Sequence, residues 1–281
     1  MELYDLLCGA GLHDIADELR LRPLFPRIGS KFNLRNKILP LIPEHKTYVE
    51  PFAGSSAIFF YKDKAEHSVL NDLDKAVVSG LRLLKTAPTD PAKYPQPSTL
   101  EAVKRQFVKP AHTVPEKIVK RMIVSSSGFS GTAVEKPKQI YRTAGIPQKV
   151  KRIADAREKL KGVEITSEDY AKVVRSNDKP STFFFLDPPY ENSTKQMGYA
   201  EHKDFDFERL ADTLKHIKGK FLMTINDSPR IRDLFSAFYI KPFVADTNIH
   251  QVNHRKDGKK VSTPYERKEL FIANYPLTRV G

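Results

Sequence analysis

The sequence predicts an α/β fold built on a mostly parallel sheet, with a cation-rich window between its second and third strands. Three observations predict it. Short apolar runs that read as strands alternate with segments of helical periodicity, the order that parallel sheets require. Several of these runs end in an acid or a Gly/Ser turn, where open α/β sheets place their ligands. The positive charge is also uneven: Glu101 to Lys161 holds fifteen Lys and Arg against five Asp and Glu, which is ten of the thirteen net charges of the chain. A uniformly solvated surface does not concentrate charge in this way, and a basic stretch of this kind suits a polyanion.

The elements follow in order. Residues 1–24 carry leucines at helical spacing, broken by Gly9 and Gly11, and read as a helical extension packed on the core. Thr47 to Phe52 reads as a strand running into the small-residue turn Ala53-Gly54-Ser55-Ser56, and the apolar segment Ala57 to Tyr61 is helical. Ser68 to Asp72 is a second strand, and Lys75 to Leu84 a helix with Val77, Val78, Leu81 and Leu84 on one side. Residues 86–100, rich in Pro and Thr, form no single regular element. The basic window follows, with a loop-like stretch at Ser125 to Gly131. The sheet pattern resumes with a helix at Ala154 to Leu160, a strand at Val163 to Ile165 and a helix beginning at Ser167. Thr182 to Leu186 is the most apolar strand and is expected at the centre of the sheet. A helix at Phe207 to Ile217 and strands at Phe221 to Ile225 and Glu269 to Asn274 complete it. Asp257-Gly258 is a hairpin turn signal among Arg255, Lys256, Lys259 and Lys260.

Composition excludes several classes. No apolar run approaches the ~20 residues that span a bilayer, and the acidic start Met1 to Asp5 is unlike a signal peptide. Cys8 is the one cysteine, so neither an intrachain disulfide nor a cysteine zinc site is expected. A reducing, cytoplasmic setting is the simplest expectation, or a nuclear one for a eukaryotic or viral source. No metal is expected. No Gly-x-Gly-x-x-Gly follows the first strand, which leaves a nicotinamide enzyme unsupported.

The strongest chemical signal is Asp187-Pro188-Pro189-Tyr190, which closes the most apolar strand. Two prolines stiffen the chain and donate no hydrogen bonds, so their carbonyls remain acceptors. An acid, a rigid carbonyl and an aromatic ring within four residues suit a planar ring bearing an amino group. The plainer alternative is a turn with a helix-capping acid. Three further strand ends carry suitable groups: the Gly54 turn for a close backbone approach, Asp72 for a ribose diol, and Asp169-Tyr170 for an adenine. Each alone is commonly a cap or a surface charge; four in strand order are much less often accidental.

On these residues the chain resembles the Dam-type, or D12-class, DNA adenine-N6 methyltransferases, from about Phe25 to Tyr275. The opening Gly-Ser-Lys motif is matched by Ile28-Gly29-Ser30-Lys31, the cofactor loop by Val49-Glu50-Pro51-Phe52-Ala53-Gly54 with Ser55, the ribose acid by Asp72, the adenine pair by Asp169-Tyr170, and the catalytic tetrapeptide by Asp187 to Tyr190 without change. Two positions depart: Ser56 stands where a second glycine is frequent, and Arg27 or Ile28 stands where an aromatic residue often precedes the lysine. The resemblance implies a Rossmann-like methyltransferase sheet with helices on both faces and a C-terminal antiparallel hairpin. That domain would comprise residues 25–85 and 150–281, with residues 86–149 an inserted target-recognition subdomain. It implies S-adenosylmethionine as methyl donor, with Asp187 also touching it, and double-stranded DNA as partner. The enzyme would act as a monomer or weak homodimer, with or without a companion restriction nuclease.

The target adenine would be flipped from the duplex, stacked on Tyr190 and held through its amino group by Asp187 and the Pro188 carbonyl. No covalent enzyme intermediate is required, in keeping with Cys8 lying far from every motif. Lys104, Arg105, Lys120, Arg121, Lys138 and Arg142 are candidate DNA contacts. Arg255 and Lys256 are either a second phosphate contact or a solvated hairpin tip, and Lys31 faces either the cofactor carboxylate or DNA. The alternatives are a methyltransferase acting on cytosine N4, RNA adenine or a glutamine side chain, and a DNA-binding module without catalysis.

Overall fold

The computed structural model describes residues 22–27, 29–128, 133–191, 205–245, 250–256, 259–264 and 267–278. The expected N-terminal helix, for residues 1–21, lies outside them, as do Ile28, Asp257 and Gly258. The strands are β1 (Thr47–Glu50), β2 (His67–Asn71), β3 (Glu164–Thr166), β4 (Thr182–Leu186), β5 (Lys220–Asn226), β6 (Tyr239–Ala245), β7 (His250–Lys256), β8 (Lys259–Pro264) and β9 (Arg267–Ala273). The chain divides into two compact units: Met1–Arg35, Ala53–Lys64 and Asp74–Ser167 form one, and Asn36–Phe52, Ala65–Leu73 and Glu168–Gly281 the other.

The first unit is mainly helical, with α1 (Ala57–Tyr61), α2 (Lys75–Lys85), α3 (Leu100–Val108), α4 (Val114–Ser126), α5 (Ile146–Lys151) and α6 (Ile153–Lys159). Each longer helix starts on a side-chain cap that satisfies an otherwise unpaired amide. Asp74 accepts from the Ala76 amide and Thr99 from that of Ala102, and Thr113 with Glu116 forms a reciprocal capping box. That box and the buried stripe Ile118, Val119, Met122 and Ile123 carry α4 through Ser125 and Ser126, where the sequence pattern suggests loop. Arg82 and Lys85 of α2 donate to the carbonyls of Ile165 and Val163 and so tie the β3 segment to that helix.

In the second unit the strands run in the order β2-β1-β4-β5-β9-β6. The β2, β1, β4 and β5 pairs are parallel, and β9 is antiparallel to both β5 and β6. Alternation sorts the side chains. Val49, Val69, Phe184, Leu186, Phe221, Met223, Ile225, Leu270 and Ile272 pack against three helices, α7 (Tyr170–Asn177), α8 (Phe207–Lys215) and α9 (Pro229–Leu234). The alternate positions turn to the opposite face, where Thr224 and Glu269 are polar and fully buried. β4 occupies the inner position expected from its sequence, with residues of all five positions buried. β6 is an edge strand and tolerates Pro242 for that reason. β7 and β8 form a separate antiparallel pair with Lys256 opposite Lys259, and the expected Asp257-Gly258 turn lies outside the described residues.

Two local features set up the strand ends. Asn71, buried at the end of β2, donates to the carbonyls of Pro51 (3.0 Å) and Glu168 (2.9 Å) and accepts from the Glu168 amide (2.8 Å). One amide side chain thus ties the exits of β1 and β2 to the segment that leads into Asp169. Ser56, at the entry to α1, has φ +50°, a left-handed conformation that disfavours any residue with a Cβ. Glycine would occupy this position at lower steric cost.

Two outcomes are expected. Asn71→Ala orphans the groups it joins and should lower unfolding stability by about 1–3 kcal/mol, measured by urea denaturation. Ser56→Gly relieves the backbone and should raise stability by about 1 kcal/mol; a lower melting temperature would contradict the strain assigned to Ser56.

Candidate active site

β4 ends where it must. Beyond Leu186 the chain meets two prolines that have no N–H to offer the ladder, and the corner Asp187 to Tyr190 begins. Side chains of the neighbouring strands hold it instead. Thr224 of β5 donates to Asp187 Oδ1 at 3.2 Å. The Glu191 amide, one residue past the corner, donates to Asn226 Oδ1 at 2.8 Å. Tyr190 donates its hydroxyl to Glu269 Oε2 of β9 at 2.8 Å. Pro188 is buried, while Asp187, Pro189 and Tyr190 are partly exposed. Burial, reinforced by the Asp187 and Glu269 charges, holds the Tyr190 phenol well above its ordinary pKa, so it stays a donor. Arg267, two residues from Glu269 on the same face of β9, lies 2.5 Å from Glu269 Oε1 and over the Tyr190 ring, 5.6 Å from its centroid.

The other strand ends of this unit carry the remaining expected groups. Glu50, the last residue of β1, is buried and accepts from the Tyr48 hydroxyl at 2.7 Å. Pro51 is held through its carbonyl by Asn71, which places Asp72, partly exposed, at the exit of β2. Asp169 caps α7 by accepting from the amides of Ala171 and Lys172. It also meets Arg209 of α8 through both oxygens, at 2.6 and 2.9 Å. The Arg209 guanidinium holds Asp169 below the usual carboxylate range, so the acid is charged. Tyr170 stands in an aromatic group with Phe52 (centroids 5.2 Å) and Phe205 (5.6 Å), and Arg209 lies over its ring at 5.1 Å. Tyr170 is 5% exposed, and its hydroxyl has no hydrogen-bond partner among the described residues. Burial pushes that phenol up to about 12, which leaves a neutral donor beside the rings.

In the helical unit, the turn after β1 and the Gly29-Ser30-Lys31 segment come together. Ser55 donates to Ser30 Oγ at 2.9 Å, and Phe32 packs edge-on against Tyr61. Gly54 has φ +49°, the left-handed region that glycine adopts readily, and among the described residues nothing lies within 4 Å of where a Cβ would stand. Lys31 is buried and donates to the Gly29 carbonyl at 2.8 Å. The Ser56 hydroxyl is buried with no hydrogen-bond partner among the described residues.

The expected DNA contacts differ in placement. Arg105, Lys138 and Arg142 retain exposure, and Lys104 is partly exposed with Glu101 3.4 Å away. Lys120 donates to the Lys109 carbonyl. Arg121 is committed internally: it lies over the Phe25 ring, and its side chain fills the space where Gly80 lacks a Cβ. Its guanidinium serves helix packing there. Arg255 and Lys256 lie on β7. Sequence reasoning does not single out Lys149. It donates to Ser126 Oγ near the end of α4, where Arg142 also binds the Ser126 carbonyl at 2.7 Å. Burial, with Arg152 and Arg142 nearby, lowers Lys149 to about 8.

Thr224, Asn226, Glu269, Arg267, Arg209 and Phe205 also carry no motif that would mark them in the sequence. The one available signal is an acid, Glu269, at the head of an apolar strand. Among the described residues no cluster of potential metal ligands occurs, and no helix is long and apolar enough to cross a membrane.

The chain is 26% identical over 257 residues to a DNA N-6-adenine-methyltransferase of Escherichia phage P1, covering 81% of this chain and 33% of that protein, so it spans about one third of that relative's length. It is 23% identical over 268 residues to the type II methyltransferase M.CviBI of Paramecium bursaria Chlorella virus NC1A, covering 91% of this chain and 100% of that protein. Residues 28–257 match one protein family across most of the chain. The chain belongs to the D12 class N6 adenine-specific DNA methyltransferase family.

Proposed function

We propose that this chain is a site-specific methyltransferase that modifies adenine N6 in duplex DNA, with the target base flipped out of the helix. The observation that carries this is the proline corner at the end of β4, with its acid anchored by Thr224 and its ring by Glu269. Family membership brings S-adenosylmethionine as methyl donor. The residues present fit such a cofactor. Asp72 directly follows β2, the position of a ribose acid in sheets of this kind. The Phe52, Tyr170 and Phe205 rings, with the Tyr170 hydroxyl that has no hydrogen-bond partner among the described residues, suit an adenine.

When bound, S-adenosylmethionine supplies a methyl group on a sulfonium; the remaining work falls to the chain. An adenine amino nitrogen is a weak nucleophile because its lone pair is delocalised into the ring. Asp187 and the Pro188 carbonyl accept its two hydrogens, which draws electron density onto the nitrogen and favours a tetrahedral shape. Tyr190 stacks on the extruded base. Positioning and electrostatics account for most of the acceleration. Residues 86–149 act as the target-recognition insert, and the cations Lys104, Arg105, Lys138 and Arg142, with Lys149 of α5, meet phosphates. Arg255 and Lys256 on β7 add a second phosphate-binding point.

The direct test is to incubate the purified chain with duplex DNA and S-adenosylmethionine and analyse nucleosides by mass. N6-methyladenine is expected; N4-methylcytosine or no product would overturn the assignment. Asp187→Ala should reduce turnover by about 10²–10³ with unchanged cofactor affinity in calorimetry. Replacing Lys104, Arg105, Lys138 and Arg142 by Ala should flatten the slope of log K against log salt by about 0.9 for every phosphate that is no longer neutralised. An unchanged slope places the DNA elsewhere.

A further inference from the structure

Glu269 is fully buried at the edge of the proline corner, on a strand beyond the residues that match the family. A buried carboxylate is costly unless it is paired. The four residues after it in β9 are Leu270, Phe271, Ile272 and Ala273, all buried, so an apolar side chain would suit position 269 on packing grounds alone. Glu269 Oε2 accepts from the Tyr190 hydroxyl at 2.8 Å, while Oε1 lies 2.5 Å from Arg267 Nε as an ion-pair contact, neither of those two atoms having a hydrogen-bond partner among the described residues. Arg267 in turn covers one face of the Tyr190 ring.

We infer that Glu269, backed by Arg267, is a positioning residue that sets the plane of the Tyr190 ring before the target base arrives. A tyrosine at the end of a rigid Pro-Pro segment retains rotation about its own side-chain bonds. The hydroxyl tether removes it: the backbone holds one end of the ring and Glu269 the other. The ordering cost is met during folding rather than at each binding event, and a preset ring holds the extruded base in register with Asp187.

This inference rests on the methyltransferase assignment, so the test begins with wild-type turnover. Absence of N6-methyladenine there would count against that assignment and not against the tether. Four proteins are compared: wild type, Glu269→Leu, Tyr190→Phe and the double variant. Leu removes the tether without leaving a buried charge on position 269. Single-turnover methyl transfer, cofactor affinity by calorimetry and emission of 2-aminopurine at the target base are measured, with circular dichroism as the folding control. Glu269→Leu and Tyr190→Phe should each slow methyl transfer by about tenfold or more, the scale of a small misplacement of a reacting group. Both should reduce the 2-aminopurine signal and leave cofactor affinity unchanged. In the Tyr190→Phe background, Glu269→Leu should add almost nothing, because the hydroxyl it holds is already gone. Wild-type rates in either single variant, or losses that multiply in the double variant, would overturn the inference. Should Glu269→Leu fail to fold, Tyr190→Phe decides alone: a full rate overturns it and a slowed one with normal cofactor affinity supports it.

Discussion

A strand that runs into two prolines loses its ladder, and the rest of this structure depends on how that loss is made good. Pro188 and Pro189 cannot donate to a neighbouring strand. The corner is instead fastened by side chains: Thr224 on Asp187, Asn226 on the amide after Tyr190, and Glu269 on the Tyr190 hydroxyl. Thr224 and Asn226 have the same parity on β5, and Glu269 stands opposite Asn226 in the sheet register. Three fasteners thus lie on one face of two adjacent strands. The opposite face of those strands is apolar and packs on α7, α8 and α9. The sheet separates the two demands on it, with a dry core below and a polar anchor row above.

The same economy appears at the other strand ends. Asn71 satisfies three backbone groups at once. Asp169 caps a helix and forms a two-point ion pair with Arg209. Such residues act on strand exits without reacting, and they narrow the conformations that loops at ligand-bearing ends otherwise explore. Ser56 runs the other way. Its backbone is held in a region that glycine occupies at lower cost, and its hydroxyl is buried without a hydrogen-bond partner among the described residues. The two features are local costs carried by a stable surround.

Much of this is legible in the sequence where the signal is local. β4 falls at Thr182–Leu186 as expected because an unbroken apolar run bounded by an acid has few alternatives. The order of strand-end motifs identifies the class of fold and the family. What escapes a reading of the sequence depends on distance along the chain or on interruption. Glu269 reaches Tyr190 across 79 residues and Thr224 reaches Asp187 across 37, separations at which no periodicity applies. β6 contains Lys241 and Pro242, which break the alternation that marks a strand, and only its edge position makes it admissible. Arg121 looks like any exposed cation on a basic helix. Its inward placement follows from Gly80 on a facing helix, which leaves room for a guanidinium. The serine run at 125–127 looks like loop, but the cap and apolar stripe upstream of it govern its first two residues.

The position of β9 has a consequence for biosynthesis. It lies between β5 and β6 in the sheet, although it follows both in the chain. While a nascent polypeptide is still short of Arg267, β6 has no β9 to pair with, and the exposed margin of β5 is a template for unwanted strand pairing. Closing the sheet means inserting a late segment between two earlier ones, a long-range step of the kind that slows folding. Translation errors or proteolytic nicks just upstream of this segment would therefore yield sticky, unfinished polypeptides. They would not yield a slightly shortened enzyme.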